Sequence, residues 1–368
     1  MTFPQADAPP FGHYEFVDPK TGVNGWLVVD TLVNGMSFGG FRFQKSVTAA
    51  QVAELARCMT WKLAAHGLPT GGAKAGLAIE PHDPRVGEVV ARFAKAMETP
   101  LREEAMLGRD MGATNAMIDR VYDTLGLPQL HIASHHTDDN RLPHRLRELA
   151  GYGPHMTGRG VATAARAAHA GEVSGKTVAI QGFGLVGAGS ALRLHELGAH
   201  IVGLADADKA VLSEHFAIPA LAEEGRVRRI LPHELLDTHA QLIPRDELLE
   251  QPVDILVLAA GSHSVDDRIA GRIKAHLVVE GANFALTPKA RCVLHDRGIP
   301  VIPDLLASSA SAALVARQMA SGNQVSGSAC WESIDRSISE ATCRSLEGAS
   351  AGNITCREAY LRSFRPTS

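Results

Sequence analysis

The sequence predicts an α/β protein of two domains, and three observations support this fold class. The chain has 368 residues, which is enough for two domains of ordinary size, each with its own core. Strand and helix patterns alternate over roughly the first 150 residues. Further along the chain, short apolar runs rich in β-branched residues alternate with helical patterns, as in a parallel sheet that is buried on both faces.

Composition and charge exclude several other classes of protein. The chain is 45% hydrophobic and 21% charged, which is typical of a globular protein. A net charge of −4 and a pI near 6.5 predict neither a nucleic-acid partner nor a membrane partner. The first residues lack the basic and apolar regions of a secretory signal, and no apolar run is long enough to span a bilayer. The cysteines are scattered and form no CxxC pair, which predicts reduced thiols in a cytoplasmic protein: Cys58, Cys292, Cys330, Cys343 and Cys356.

The first domain is predicted over residues 1–150. Its elements in order are a strand at "GWLVVDTLV", a helix at "SVTAAQVAELARCMTWKLAAHGL", a strand at "GLAIEP" and a helix at "RVGEVVARFAKAME". Thr48 and Gln51 fit a capping box at the start of the first helix, and Gly67 before Pro69 fits its end. Lys62 therefore lies in the last turn of that helix, near the segment "PTGGAKAG", which is interpreted as a glycine-rich turn.

The second domain is predicted over residues 151–325, after a long connection at 131–155. Its strands are expected at "KTVAIQ", "HIVGLADAD", "VDILVLAAG", "HLVVEGAN" and "GIPVIPD". The last residues, about 326–368, are predicted to form two helices that pack back on the first domain.

A dinucleotide-binding signature opens the second domain. "GFGLVG" places Gly182, Gly184 and Gly187 at the spacing G-x-G-x-x-G, between a predicted strand and a predicted helix, with Phe183, Leu185 and Val186 as the intervening residues. This context predicts a Rossmann domain whose helix N-terminus faces a pyrophosphate. The alternative is a glycine-rich turn without a ligand. Asp206 ends the next strand, where a carboxylate would bind the ribose 2′-OH, and this favours NAD over NADP.

Two lysines and an aspartate are candidates for proton transfer. If Lys62 and Lys74 share a pocket, each lowers the pKa of the other, so that one could act as a base while the other binds a carboxylate. Asp110, in "MLGRDMGATN", could relay the proton. The alternative is that Lys62 is a surface charge at a helix end and that Asp110 caps the following helix.

The chain resembles the glutamate/leucine/phenylalanine/valine dehydrogenases. The stretches that carry the resemblance are "GGFRF", "MTWKLAAHGLPTGGAKAGL", "GRDMG", "MTGRGV", "QGFGLVG", "LVVEGAN" and "IPVIPD". The resemblance implies an N-terminal domain that binds substrate and forms a homo-oligomer, a following Rossmann domain, and a cleft between them. It also implies reversible deamination of an L-amino acid to a 2-oxo acid and ammonia.

The resemblance further implies roles for individual residues. Lys62 would bind the substrate α-carboxylate, Lys74 would activate the attacking water or ammonia, and Asp110 would assist proton transfer. Gly39 and Gly40 would lie at the substrate. The remaining implied contacts are to the dinucleotide: Thr157, Ala259, Ala260 and Asn283.

The chain departs from the glutamate-specific members of that family. Phe38 stands where they carry a lysine, and Val315 where they carry a serine, so both groups that pair with a glutamate side chain are replaced by apolar ones. Gly108 and Ala312 are small at positions that size the pocket. These residues predict an apolar or bulky substrate side chain.

Further departures support a second hypothesis. The segment "SSASA" replaces the family's "NAGGV", so that Ser308 stands in place of an asparagine, and His263 replaces another asparagine. These changes favour the alternative of a catalytically weak relative that binds dinucleotide or amino acid as a regulatory or scaffold protein. Arg42 either orders the glycine turn or faces the substrate, and the structural role is favoured. No metal site is predicted, since the histidines of "HHTDD" and at His233 and His239 fit no metal-binding spacing.

Overall fold

The computed structural model describes residues 9–127, 155–228, 231–236, 239–321 and 327–364. The described residues fall into two compact units. Residues 9–127 and 315–321 belong to the first unit, and residues 155–314 and 327–363, apart from the gaps given above, belong to the second.

The first unit is built on a mixed sheet. Its strands are β1 (Gly12–Val17), β2 (Asn24–Val29), β3 (Ser37–Phe43), β4 (Gly71–Leu77) and β5 (Ala105–Arg109), in the order β1-β2-β4-β3-β5. The pairs β1–β2 and β2–β4 are antiparallel, whereas β3 pairs in parallel with both β4 and β5. The helices are α1 (Ala49–Ala64), α2 (Val86–Ala96), α3 (Glu98–Glu103) and α4 (Asn115–Leu125).

Helices cover both faces of this sheet. On one face, Phe41 and Phe43 of β3 pack with α2, where the ring centroids of Phe41 and Phe93 lie 4.9 Å apart. Helix α1 covers the other face, where Val52 and Ala56 pack against β2. The capping box predicted for α1 is confirmed, because Thr48 accepts from the Gln51 backbone N–H and Gln51 accepts from that of Thr48.

The glycine-rich segment around Lys74 is strand β4, so its interpretation as a turn is wrong. Glycine is used here because other parts of the chain come very close to the strand. A methyl group at Gly72 would lie 2.2 Å from the backbone nitrogen of Thr60 in α1, and one at Gly71 would lie 1.9 Å from the carbonyl oxygen of Thr31. The absent side chains thus make room for the helix and for a neighbouring loop.

The second unit is built on a sheet with the order β12-β11-β10-β6-β7-β8-β9. Its strands are β6 (Thr177–Gln181), β7 (His200–Ala205), β8 (Ala210–Leu212), β9 (Gln241–Ile243), β10 (Ile255–Leu258), β11 (Leu277–Glu280) and β12 (Val301–Ile302). The strands from β12 to β7 pair in parallel, as predicted. Strands β8 and β9 add an antiparallel edge that the sequence did not indicate.

The helices of the second unit lie mostly between its strands in the chain. They are α5 (Met156–Ala168), α6 (Leu185–Glu196), α7 (Ile218–Arg228), α8 (Asp267–Ala270), α9 (Pro288–Asp296), α10 (Asp304–Ala307), α11 (Ala310–Ser321, which continues into the first unit), α12 (Gly327–Gly352) and α13 (Cys356–Ser363). Although α12 has 26 residues, no helix of the described part combines the length and apolar character that a bilayer span requires.

The last two helices belong to the second unit, so the expectation that they pack back on the first domain is wrong. Helix α12 packs along α5, where Asp335 accepts hydrogen bonds from Thr163 Oγ1 at 2.7 Å and from Arg166 Nη2 at 2.8 Å. Helix α13 packs beside β12, and its Arg357 forms a buried ion pair with Asp304. These paired polar groups hold the helices on the unit that contains the parallel sheet.

Candidate active site

Buried Lys74 forms an ion pair with partly buried Asp110 in the first unit. Nζ of Lys74 lies 3.2 Å from Oδ2 of Asp110. Arg42 binds the same oxygen, with Nε 2.7 Å from Oδ2. The cluster therefore consists of one carboxylate and two cations on the central strands of the sheet.

The parallel register of three strands brings these groups together. Phe38 of β3 pairs with Gly72 of β4, which sets Gly40 beside Lys74, and Gly40 pairs with Gly108 of β5. Asp110 follows directly after β5. Since residues two apart on a strand share a face, Phe38, Gly40 and Arg42 point to the same side of the sheet.

Gly40 leaves the space beside Lys74 and Asp110 open. A methyl group at Gly40 would lie 3.1 Å from Nζ of Lys74 and 2.7 Å from Cβ of Asp110. At Gly39 the reason for glycine is different, because a methyl group there would lie 1.6 Å from the carbonyl oxygen of Ala73. Gly39 thus allows the two strands to pack, and glycine at position 40 avoids a clash with the charged cluster.

Burial and neighbouring charges shift the pKa values of the pair. Burial lowers the pKa of Lys74; the Asp110 carboxylate opposes this, and the charges of Arg42 and Lys62 add to it. Burial raises the pKa of the Asp110 carboxyl, but the charges of Lys74 and Arg42 and their hydrogen bonds outweigh burial, so that its pKa lies well below its ordinary value. Asp110 is therefore a carboxylate, and Lys74 loses its proton more readily than an exposed lysine does.

Both alternatives proposed for Lys62 and Asp110 are inconsistent with the structure. Lys62 lies in the last turn of α1, as predicted, but it is buried and not a surface charge. The N-cap of α4 is Thr114, whose side chain accepts from the Met117 backbone N–H, so Asp110 is not the cap. Lys62 lies close enough for its charge to affect the pKa of Lys74.

The residues predicted to contact the substrate side chain lie in different places. Phe38 is buried, on the strand face that also carries Gly40. Val315 and Ala312 lie one turn apart on α11; Val315 is buried and counts with the first unit, whereas Ala312 counts with the second. A common pocket formed by Phe38, Val315, Gly108 and Ala312 stays a prediction.

The glycine fingerprint of the second unit has the geometry that a dinucleotide needs. Gly182 has φ = +91°, and a methyl group on it would lie 2.5 Å from the backbone nitrogen of Ala260. A methyl group on Gly187 would lie 1.8 Å from the carbonyl oxygen of Gly182. Gly184 is the N-cap of α6 and has no protein atom within 4 Å of such a methyl group. The first turn of α6 is thus open to a pyrophosphate, which fits a bound dinucleotide.

The other predicted cofactor residues surround this turn or support it. The backbone N–H of Ala259 donates to the carbonyl of Gln181, which fixes the loop after β10 against β6. Val186 lies beneath the end of β11, since a methyl group on Gly281 would lie 3.2 Å from its side chain. Leu185, the first residue of α6, is half-buried. Phe183 is fully buried against α7, so only its backbone could meet a ligand.

Asp206 follows β7 and has a structural task of its own. Its Oδ1 accepts from the backbone N–H groups of Asp208 at 2.9 Å and of Lys209 at 3.2 Å, which shapes the turn into β8. Thr157, near the start of α5, shares a hydrogen bond of 2.8 Å with Ser311 Oγ. Asn283 lies in the loop after β11, where its carbonyl accepts from Ser262 Oγ.

The loop that contains Asn283 is held by two buried carboxylates. Glu280 Oε1 accepts from the Leu286 backbone N–H and pairs with Arg291 at 2.8 Å. Asp304 Oδ2 accepts from the Phe284 backbone N–H at 2.9 Å, and its other oxygen binds Arg357. Burial raises the pKa of Glu280. These acids and their arginine partners form a network that sequence patterns did not reveal.

His263 and Ser308, where the sequence departs from the family, both form hydrogen bonds near the loop that contains Asn283. The His263 backbone N–H donates to the carbonyl of Phe284 at 2.6 Å, and both residues have φ = +54°. Ser308 Oγ donates to the Asp304 carbonyl at 2.8 Å, at the end of α10. The Ser308 side chain therefore has a hydrogen-bonding role within the fold.

Arg42, for which the sequence favoured a structural role over one facing the substrate, donates to Asp110, the candidate proton relay. The available signal was its position two residues after Gly40 on the same strand face. This signal could be used only if "SFGGFRF" was identified as a strand, and its paired glycines give no strand pattern.

The described residues contain no group of three or more side chains arranged to hold a metal ion. His239 belongs to the described part of the chain, whereas the histidines of "HHTDD" lie outside it, and the side chain of His233 is not described.

Both parts of the chain match models of one protein family. A family model described as "Glutamate/Leucine/Phenylalanine/Valine dehydrogenase" matches residues 152–362. A model described as "Glu/Leu/Phe/Val dehydrogenase, dimerisation domain" matches residues 14–126.

Individual relatives and solved structures are similar over most of the chain. The glutamate dehydrogenase of Thermotoga maritima is 35% identical over 301 residues, which are 77% of this chain and 69% of that protein. The NADP-specific glutamate dehydrogenase of Saccharolobus shibatae is 32% identical over 297 residues, 77% of this chain and 68% of that protein. The hetero-hexameric glutamate dehydrogenase from Thermus thermophilus (Leu-bound form) matches with a TM-score of 0.78 and 25% identity, over 96% of this chain and 86% of that one.

Proposed function

The chain belongs to the glutamate/leucine/phenylalanine/valine dehydrogenase family and is an NAD(P)-dependent amino-acid oxidoreductase, and we propose that its substrate is an L-amino acid with an apolar side chain. The reaction is the reversible oxidative deamination of that amino acid to a 2-oxo acid and ammonia. The observation that carries the proposed site is the buried contact between Lys74 and Asp110, close to the charge of Lys62.

The buried lysines have different tasks in this reaction. Lys62 remains an ammonium and binds the α-carboxylate of the substrate. Once the hydride has left the α-carbon, water adds to the resulting C=N carbon, and Lys74, whose pKa is lowered by burial, accepts the proton of that water. Asp110 relays the proton. Cleavage of the C–N bond then releases ammonia and leaves the 2-oxo acid. The bound dinucleotide supplies the acceptor for the hydride.

Phe38 supports the apolar side chain. It is buried and lies on the same strand face as Gly40, next to the charged cluster. Burial of a leucine- or phenylalanine-sized side chain contributes about 1.5–3 kcal/mol. A carboxylate left without a partner beside Phe38 would cost about 2 kcal/mol or more.

Glutamate is the second candidate substrate, and the comparisons favour it. The relatives described above are named glutamate dehydrogenases. Residue 38 is phenylalanine and cannot pair with a carboxylate. If this chain also acts on glutamate, a cationic residue elsewhere must bind the side-chain carboxylate.

For the cofactor, we propose NAD over NADP. Asp206 follows the second strand of the dinucleotide-binding half, and its carboxylate would repel a 2′-phosphate. The name of the Saccharolobus shibatae relative, NADP-specific, is the observation against this preference.

We also propose that the chain acts as an oligomer. The match of its first unit to a dimerisation-domain family and the hexameric state of the Thermus thermophilus enzyme support this. A homo-oligomer and a cytoplasmic location stay predictions from the sequence.

A substrate panel tests the proposal. Initial rates are measured for leucine, phenylalanine, tryptophan and glutamate with NAD and with NADP, following formation of the reduced cofactor. We expect kcat/KM for the best apolar amino acid to exceed that for glutamate by about a hundredfold, because each 1.4 kcal/mol is a factor of ten. We also expect NAD to be used better than NADP. If glutamate were the best substrate, Phe38 would not set the substrate specificity. If the rate were higher with NADP than with NAD, Asp206 would not set the cofactor preference.

A further inference from the structure

We propose that Arg42 is a positioning residue for this reaction, which binds one oxygen of Asp110 and leaves the other to carry the proton. The inference rests on the proposed function, since it assigns a task to a neighbour of the proposed proton relay. It concerns a residue of β3 in the first unit.

The two oxygens of Asp110 have different environments. Oδ2 accepts from Nε of Arg42 at 2.7 Å and lies 3.2 Å from Nζ of Lys74. Both side-chain contacts described for Asp110 use Oδ2 and leave Oδ1 aside, and the Asp110 side chain is 18% exposed. A carboxylate with one oxygen bound by two cations is fixed in orientation, so Oδ1 is the oxygen that remains open to a proton.

The fold holds Arg42 in place for this contact. Phe41 of β3 pairs with Arg109 of β5, so the next residues along the two strands, Arg42 and Asp110, are neighbours. The Arg42 side chain is 11% exposed. A planar guanidinium that is buried in this way has few alternative orientations, and its hydrogen bond is not screened by solvent.

Arg42 also affects how readily Lys74 gives up its proton. The charged groups that act on Lys74 are Asp110, just after β5, Arg42 of β3 and Lys62 of α1. The charge of Arg42 lowers the pKa of Lys74, and its hydrogen bond to Asp110 engages the carboxylate that would otherwise raise that pKa. Loss of the Arg42 charge should therefore raise the pKa of Lys74, and the rate should rise through a higher pH range.

The experiment compares Arg42→Gln, which removes the charge, with Arg42→Lys, which keeps it but loses the Nε contact. For Arg42→Gln we expect kcat to fall by about 10- to 100-fold, with the KM values for amino acid and cofactor little changed. We also expect the rising limb of the pH profile of kcat/KM to move up by about one pH unit. For Arg42→Lys we expect kcat to fall, while the rising limb of the pH profile of kcat/KM stays near its wild-type position.

Arg92→Gln is the matched control. Arg92 binds the buried Asp18 through Nε at 2.6 Å and Nη2 at 3.0 Å, in the same unit but on helix α2, which covers the opposite face of the sheet. This variant loses an arginine–aspartate pair of the same kind, so it can lower thermal stability. It should leave the rising limb of the pH profile of kcat/KM at its wild-type position.

A second readout does not depend on turnover. The rate at which acetic anhydride modifies Lys74 is measured across pH by mass spectrometry, which gives the pKa of Lys74 directly. We expect the midpoint to rise in Arg42→Gln and to stay unchanged in Arg42→Lys and Arg92→Gln. An unchanged midpoint in Arg42→Gln, or a rise in KM with an unaltered kcat and limb, would overturn the positioning role. If the labelling shift occurs but no amino acid is oxidised, the proposed function fails, and only the effect of Arg42 on the pKa of Lys74 stands.

Discussion

Replacement of Lys74 by alanine is expected to lower kcat by about 10²- to 10⁴-fold, the range typical of a general acid–base residue. Lys74 is buried, with Nζ 3.2 Å from the Asp110 carboxylate, and burial lowers its pKa, so it gives up and accepts a proton more readily than an exposed lysine does. Asp110→Asn should lower kcat by a similar factor, since it replaces the carboxylate that relays the proton with an amide. Steady-state rates on the best substrate of the panel measure both effects.

A control variant at a second lysine and an NADH-binding assay show whether the loss in Lys74→Ala is specific to the chemical step. Lys95 on α2 is exposed and paired with Glu98, so Lys95→Ala should keep near-normal kcat. Binding of NADH, followed by its fluorescence, should be nearly unchanged in Lys74→Ala, because the glycine fingerprint lies in the other unit. A Lys74→Ala enzyme with near-normal kcat would show that another group is the base.

Replacement of Arg357 by methionine is expected to destabilise the second unit by about 3–5 kcal/mol, because it leaves a buried carboxylate without its cation. Asp304 is fully buried, and Arg357 forms an ion pair with it. The same carboxylate holds the Phe284 backbone N–H, at the loop that contains Asn283. Urea unfolding followed by circular dichroism measures the loss.

A double variant separates a lost ion pair from a lost packing contact. In Arg357→Met with Asp304→Asn, the charge is removed from both partners while an oxygen remains for the Phe284 N–H. Most of the stability should return, since replacement of both members of a buried pair is far less costly than removal of one. If the double variant were as unstable as Arg357→Met alone, packing of the arginine, which lies 5.7 Å above the Phe284 ring, would be the dominant contribution.

The second unit was the easier half to predict from sequence. Its strands β6, β7, β10, β11 and β12 are short apolar runs, and Gly182, Gly184 and Gly187 stand at a spacing that only a strand–turn–helix context explains. The edge strands β8 and β9 were missed because each has only three residues, too few to show a period.

The first unit was harder, because two of its central strands are rich in glycine. In β3 and β4 the paired glycines remove the side chains that would show strand alternation. At Gly39, Gly71 and Gly72 glycine is required because backbone atoms of other segments lie 1.6 to 2.2 Å from where a side chain would begin. That requirement arises between segments far apart in the chain, so no local pattern could reveal it.

The sequence by itself determined the family, the two-domain α/β class, the dinucleotide fingerprint, the capped helix that carries Lys62, and the candidate set of Lys74 and Asp110. These follow from local spacing and from residue types whose chemistry is specific. Only the tertiary structure decided that Lys74 stands on a strand, that Arg42 and Lys74 share one oxygen of Asp110, and that the last two helices belong to the unit with the parallel sheet. The reason is physical: strand register, burial and ion pairing depend on which distant segments meet, and a carboxylate's partners are set by that meeting and not by its neighbours in the chain.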